Sequence, residues 1–324
     1  MPSSMSNGTG ELAASGWAAL PAEYRFPSRA PSLAEARAYC DRLARQHYEN
    51  FSVATWFLPE RLRPHFCSLY AYCRISDDLG DEVGNPAESL RLLDEWEAEL
   101  DVTYESLASA ERQPRHPVFI ALRETIRSCE IPKQPFADLL KAFRQDQTVT
   151  RYETFAGLLG YCRFSANPVG HLVLYACGYR DEERQRLSDF TCTALQLANF
   201  WQDVTVDYGK GRIYLPQEDL RRYRVSEDQI AERRCTPEFR ELLRFQVARA
   251  REWFDQGLPL AAMVDRELAI DIELFTRGGQ QILSAIERQG YDVLKARPAI
   301  SRTRKLWLVA RAALKTATSR SRRA

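Results

Sequence analysis

Apolar positions recur along most of this chain at spacings of three and four, and almost nowhere at every second residue. Phe66, Leu69, Tyr70 and Cys73 make one such stripe, within a helix predicted over residues 62–83. Phe136, Leu139, Leu140 and Phe143 make another over 135–147, and Leu187, Phe190, Ala194, Leu197 and Trp201 a third over 182–208. Further helices are predicted over 33–47, 87–104, 118–129, 154–179, 225–231, 237–263 and 266–289. Ser32 with Glu35 three residues on reads as a capping box, and Pro86, Pro114 and Pro117 separate helices. Ser165-Ala166-Asn167-Pro168-Val169-Gly170 lies inside the 154–179 helix, where proline removes a backbone hydrogen bond and predicts a kink. No hairpin signal stands between alternating runs and no repeat is present, so the fold class expected is all-α.

Two of these stripes run into acid. Asp77, Asp78, Asp81 and Glu82 end the 62–83 helix, and Asp77 and Asp81 share a face. Like charges so placed repel, and carboxylates near a helix C-terminus also oppose its dipole. A lone acidic helix end is ordinarily solvated surface. Here it has a counterpart: Gln196, Asn199, Gln202, Asp203 and Asp207 form a polar line on a helix otherwise too apolar to face water. The basic stretch 209–216, with Lys210 and Arg212, follows directly as a loop able to close over an anion.

Charge and composition narrow the chemistry. The 324 residues are 45% hydrophobic and 27% charged, and the net charge of +1 gives no basic excess for nucleic acid. The eight cysteines are scattered without a Cys-x-x-Cys pair, which reads as reduced thiols in a cytoplasmic protein. The Ser-, Gly- and Ala-rich start lacks a basic region before an apolar one and reads as a disordered leader, and no uncharged apolar run is long enough to cross a bilayer. From Arg297 onward there are basic residues and no acidic ones, with Leu306, Trp307, Leu308, Val309 and Leu314 among them, a pattern suited to peripheral contact with an anionic membrane surface.

Two aspartate-rich helix segments facing each other suit Mg²⁺, which bridges one or two carboxylates to substrate phosphates. Arg74, Lys210 and Arg212 would bind the same diphosphate, and Phe51, Tyr70, Phe164 and Leu195 would surround a long hydrocarbon. No zinc spacing, phosphate-cradling glycine loop or nucleophile–histidine arrangement competes; His47, His65, His116 and His171 are isolated. The reaction class expected is metal-assisted ionisation of an allylic or cyclopropylcarbinyl diphosphate.

The segments YAYCRISDDLGD (70–81) and ALQLANFWQDVTVDYGKGRIYLP (194–216) resemble the paired signatures of the squalene and phytoene synthases, the head-to-head prenyl transferases. The resemblance extends over about residues 33–315. It implies a single-domain isoprenoid synthase helical bundle around a central cavity, over residues 26–316, with 1–25 as leader and 317–324 as basic tail. It implies Asp77, Asp81, Asp203 and Asp207 as catalytic, with Asp78 and Asn199 joining them as Mg²⁺ ligands. His47, Phe51, Tyr70, Arg74, Asn167, Gln196, Asn199, Lys210, Arg212 and Arg297 would bind substrate.

Within the family, SANPVG (165–170), HYENFS (47–52), Gly278-Gly279 and GYDVLKARP (290–298) are similar to the bacterial hopanoid-pathway hydroxysqualene synthases. The implied substrate is then presqualene diphosphate, and enzymes of that pathway are the implied partners. The rival within the fold joins two farnesyl diphosphates, or longer prenyl units, to presqualene diphosphate, squalene or phytoene. A non-enzymatic helical protein of the membrane surface would account for the basic C-terminal end but not for two acid clusters on apolar helices, and neither cluster has the pattern of a calcium-binding EF-hand.

Overall fold

The structure, a computed structural model, describes residues 16–46 and 59–299. His47, Glu49, Phe51, the rest of the 47–58 junction and the basic segment from 300 onward lie outside the described residues.

Among the described residues, thirteen α-helices of five or more residues follow in order: α1 Leu33–Gln46, α2 Arg63–Asp81, α3 Pro86–Ala108, α4 Pro117–Cys129, α5 Gln134–Gln145, α6 Phe155–Ser165, α7 Asn167–Ala176, α8 Glu182–Gln202, α9 Val204–Gly209, α10 Gln217–Arg222, α11 Glu227–Ala231, α12 Pro237–Gly257 and α13 Arg266–Arg288. Among the described residues the only extended pairing is one isolated bridge between Arg151 and Ile213. No described helix is long and apolar enough to cross a membrane. Side-chain caps explain the starts. Ser32 and Glu35 form the expected reciprocal box before α1; Asn85, Thr154, Asp181 and Thr236 accept from backbone N–H groups of α3, α6, α8 and α12.

The all-α expectation holds, and the differences lie in helix ends. The predicted 154–179 helix is two helices, α6 and α7, broken at Ala166 because Pro168 has no N–H to continue the ladder. The predicted 182–208 helix breaks at Asp203, yet the Asp207 N–H still donates to the Asp203 carbonyl at 2.8 Å, which preserves their spacing. Residues 16–25, read as part of a disordered leader, pack on the bundle, where Leu20 and Tyr24 are buried.

The helices build two apolar cores. One joins α1 to α5 through Tyr72, Trp96 and Phe119, with Leu172 of α7. The other joins α6, α8, α12 and α13 through Trp201, Phe239 and Phe254. Helices α7 and α8 pack together along the seam between them. Their approach needs Gly170, where a Cβ would lie 2.2 Å from the Ser188 hydroxyl and 2.7 Å from the Cys192 sulfur.

Several buried polar groups are fully used in holding this arrangement. His116 is buried, donates from Nε2 to the Tyr24 carbonyl at 3.1 Å and accepts from Val118 N–H on Nδ1; burial pushes its pKa down to about 3, so it is a neutral structural residue. Tyr24 OH donates to Asp78 Oδ2 at 2.8 Å, and Arg74 Nε donates to the same oxygen at 2.9 Å. That three-residue link ties the N-terminal segment to α2. Asp78→Asn lowers the unfolding free energy by about 2 kcal/mol in urea titration, since a buried charge-assisted pair loses one partner; an unchanged midpoint and slope would show that the link carries no stability.

Asp271 of α13 is the opposite case. It is 3% exposed, and neither carboxylate oxygen meets a donor. Burial pushes its carboxyl up to about 8. The native state thus keeps a proton that an unfolded Asp, with a pKa of about 3.9, gives up. Stability from this group falls as pH rises from about 4 to about 8 and is flat above that. Asp271→Asn, which does not ionise, shrinks the loss of unfolding free energy between about pH 5 and about pH 8 by roughly 3 kcal/mol. Parallel pH profiles for the variant and wild type in urea unfolding would contradict this.

Candidate active site

A cavity of about 390 Å³ opens on the seam between the two cores. Helix α2 contributes Tyr70, Cys73, Arg74, Asp77 and Asp81, all within one face at three-and-four spacing. Helix α8 and its continuation contribute Gln196, Asn199, Phe200, Asp203 and Asp207. The two acidic segments therefore face each other across the cavity. Leu139, Phe143 and Val169 supply apolar wall, while Phe200 stacks on Tyr214 with ring centroids 3.9 Å apart and Tyr161 lies 5.8 Å from Tyr214.

Crowding sets the electrostatics. Burial and the charge of Asp81 push Asp77 up to about 7 despite Arg74. Burial and Asp203 push Asp207 up to about 7 as well, against Arg212. Burial also works against Asp81, but Arg212 and Lys210 outweigh it and hold that carboxyl below its ordinary value. Arg212 Nη1 donates to Asp81 Oδ1 at 2.7 Å and Lys210 Nζ to Oδ2 at 3.0 Å. Arg297 grips Asp203 with two nitrogens, Nη2 to Oδ2 at 3.0 Å.

Stretch 209–216 is less free than its sequence suggests. Gly211 takes φ +80°, a left-handed turn that favours glycine. Ile213 N–H donates to the Thr150 carbonyl at 2.9 Å, Arg151 Nη1 donates to the Gly211 carbonyl at 2.7 Å, and Ile213, Tyr214 and Leu215 are buried. Packing of this kind aims Lys210 and Arg212 at the mouth.

Of the residues singled out by sequence, the structure gathers Asp77, Asp81, Asp203, Asp207, Tyr70, Arg74, Gln196, Asn199 and Arg212 on the cavity, with Lys210 and Arg297 bonded to its rim. Asp78 departs from the expectation of a metal ligand. Adjacent residues on a helix point about 100° apart, and Asp78 turns into the bundle, where Tyr24 and Arg74 occupy its oxygens. Asn167 departs too: its Oδ1 accepts from Thr193 Oγ1 at 3.0 Å, joining α7 to α8 instead of lining the cavity. Phe164 and Leu195 pack against the second core and are not among the cavity's lining residues. His47 and Phe51 lie outside the described residues.

The cavity also holds a residue that sequence reasoning passed over, Asp146. Its signal was available: the stripe Leu139, Phe143 continues at the next turn position into an acid, the same pattern that marks Asp77.

The donors fit a hard cation. They are oxygens, arranged as two carboxylate pairs each crowded enough to raise one member's pKa. Among the described residues no three acidic, imidazole or thiol side chains converge on one point. A cation here would share few protein oxygens and complete its shell with phosphate oxygens and water, as Mg²⁺ prefers.

The chain matches known proteins over most of its length. The profile of the squalene/phytoene synthase family matches residues 44–304. A 15-cis-phytoene synthase of Synechococcus elongatus is 29% identical over 293 residues, covering 86% of this chain and 93% of that protein. The crystal structure of a squalene synthase, HpnC, from Alicyclobacillus acidocaldarius is 43% identical with a TM-score of 0.75, covering 85% of this chain and 98% of that one. A dehydrosqualene synthase solved with a ligand shares the fold at 24% identity and a TM-score of 0.78, covering 88% of this chain and 98% of that one. The chain belongs to the squalene/phytoene synthase family, enzymes that join prenyl diphosphates head to head.

Proposed function

We propose that this enzyme is a hydroxysqualene synthase of hopanoid biosynthesis. It ionises presqualene diphosphate, allows the cyclopropylcarbinyl cation to rearrange, and lets water quench the product cation to hydroxysqualene while diphosphate leaves. The observation that carries this finer reading is the position of GYDVLKARP, one of the stretches similar to hydroxysqualene synthases: it delivers Arg297 to Asp203 at the cavity mouth. The 43% identity to a squalene synthase over nearly that whole protein, against 29% to a phytoene synthase, supports a place on the squalene side of the family.

Mg²⁺ held by Asp77, Asp81, Asn199, Asp203 and Asp207 would neutralise the charge that develops on the departing diphosphate. The chain's own cations do the rest of the binding: Arg212, Lys210 and Arg297 stand at the rim from three separate positions and supply donors to its oxygens. The apolar wall of Leu139, Phe143 and Val169 limits water to few places near a cation, and the π faces of Phe200, Tyr214 and Tyr161 offer it electrostatic stabilisation. We place the activity in the cytoplasm, with the basic segment beyond residue 300 against an anionic membrane from which an apolar substrate is drawn.

A second reading, condensation of two prenyl diphosphates, is favoured by the likeness to phytoene synthases at 29% identity. The two separate by substrate. Purified protein with Mg²⁺ and presqualene diphosphate, without nicotinamide, releases hydroxysqualene and pyrophosphate; turnover with farnesyl diphosphate alone would favour the second reading. Asp77→Ala and Asp203→Ala each abolish turnover while circular dichroism keeps nearly its full helical signal, and retention of activity in both would remove the carboxylates from the chemistry.

A further inference from the structure

Asp146 follows the last residue of α5, is 7% exposed and lines the same cavity as Asp77. Tyr161 OH donates to its Oδ2 at 2.8 Å, and Arg212 Nη2 reaches its main-chain carbonyl at 3.4 Å. Its other oxygen, Oδ1, is buried with no hydrogen-bond partner. One turn beyond Tyr161 on the same face of α6, Ser165 also lines the cavity, and its hydroxyl is likewise buried and unpartnered. A buried polar atom left unserved costs about 1–3 kcal/mol, so two of them on side chains that both line this cavity mark a place for a small hydrogen-bonding molecule. Water is the smallest that satisfies both, since a buried water needs two to four polar partners. Leu139, Phe143 and Val169 supply the apolar part of the same cavity wall.

We propose that Asp146, with Ser165, holds the water that quenches the carbocation, and that Asp146 Oδ1 takes the proton this water loses. In the step, a lone pair of the water oxygen forms the C–O bond to the cationic carbon. One O–H bond breaks, its electrons stay on oxygen, and the proton passes to the Asp146 carboxylate, which becomes the neutral acid. Diphosphate has already left with the electrons of the broken C–O bond, so no oxidant or reductant is required. Tyr161, bonded to Oδ2, fixes the carboxylate's orientation and leaves Oδ1 for the water. Burial, partly offset by Arg212 and Tyr161 and reinforced by Asp81 and Asp77, holds the Asp146 carboxyl up at about 7, where both proton states are accessible near neutrality.

This inference rests on the hydroxysqualene reading and is tested on the product ratio, not on rate alone. With Mg²⁺ and presqualene diphosphate, wild type releases one hydroxysqualene per pyrophosphate. Asp146→Asn still releases pyrophosphate, but hydroxysqualene per pyrophosphate falls by about 100-fold, the scale of a lost general base, with oxygen-free hydrocarbon in its place. Ser165→Ala lowers the same ratio by less, and Asp146→Glu restores part of it. An Asp146→Asn enzyme with the wild-type ratio overturns the proposal, whatever its rate. Should that variant not fold, an unchanged ratio in Ser165→Ala overturns the placement of the water. Wild type that releases pyrophosphate without hydroxysqualene overturns the functional reading itself, and this proposal with it.

Discussion

Repulsion among carboxylates gathered at a low-dielectric seam is the constraint on which the rest of this structure depends. Two unit charges about 4 Å apart interact by about 4 kcal/mol at an effective dielectric of 20, enough to force protonation or demand counterions. Both responses are present. Asp77 and Asp207 are pushed up toward neutrality, while Asp81 and Asp203 are held by cations drawn from elsewhere. Those cations arrive on segments that have little other reason to meet there. Lys210 and Arg212 come on a turn stitched to residues 150–151, and Arg297 comes on the stretch after α13, whose Pro298 carbonyl accepts from Gln202. The arrangement that relieves the acids also ranges three positive side chains around the mouth, where an anionic ligand would use them.

The fold makes room for this by keeping its two apolar cores apart. Tyr72, Trp96 and Phe119 close one core, Trp201, Phe239 and Phe254 close the other, and neither extends through the seam. The helices at the seam are interrupted where the cavity needs it. Ala166 breaks α6 from α7 and leaves Ser165 facing the cavity, and Asp203 turns the chain between α8 and α9 without losing its register with Asp207. Gly170 then lets α7 lie close on α8, so the α8 polar line is presented to the cavity from a firmly packed element.

How much of this was legible follows from what periodicity can carry. Asp77 with Asp81, and Asp203 with Asp207, were readable because spacing of four puts two side chains on one face and the apolar stripe beside them says which way that face points. The same rule, applied strictly, excludes Asp78, since a neighbour of Asp77 points elsewhere; reading the acids as one cluster obscured that. Its actual partner, Tyr24, lies 54 positions away and no local pattern announces it. Asn167 sits beside a proline break, where the change of helix direction rotates the side chain onto Thr193 and defeats a face assignment made for a continuous helix. Asp146 is a single acid at a helix end, the commonest place for a solvated one, so it carries little signal of its own even though the stripe of Leu139 and Phe143 runs into it.

The neutral members of the α8 polar line complete the electrostatic argument. Gln196, Asn199, Asp203 and Asp207 occupy successive positions on one wall, but only the last two can ionise. A carboxylate at Asn199 would stand one turn from Asp203, adding a third like charge to a wall whose Asp207 is already near neutrality, and Arg297 is committed to Asp203. An amide at that position supplies an oxygen for a cation or water without raising the pKa of its neighbours further. It also supplies N–H donors, which carboxylates lack, for the oxygens of an anion. The gradient along the helix, from amide to acid, therefore places the negative charge of α8 at its C-terminal end, where cations answer it, and leaves the preceding turns of that wall polar but uncharged.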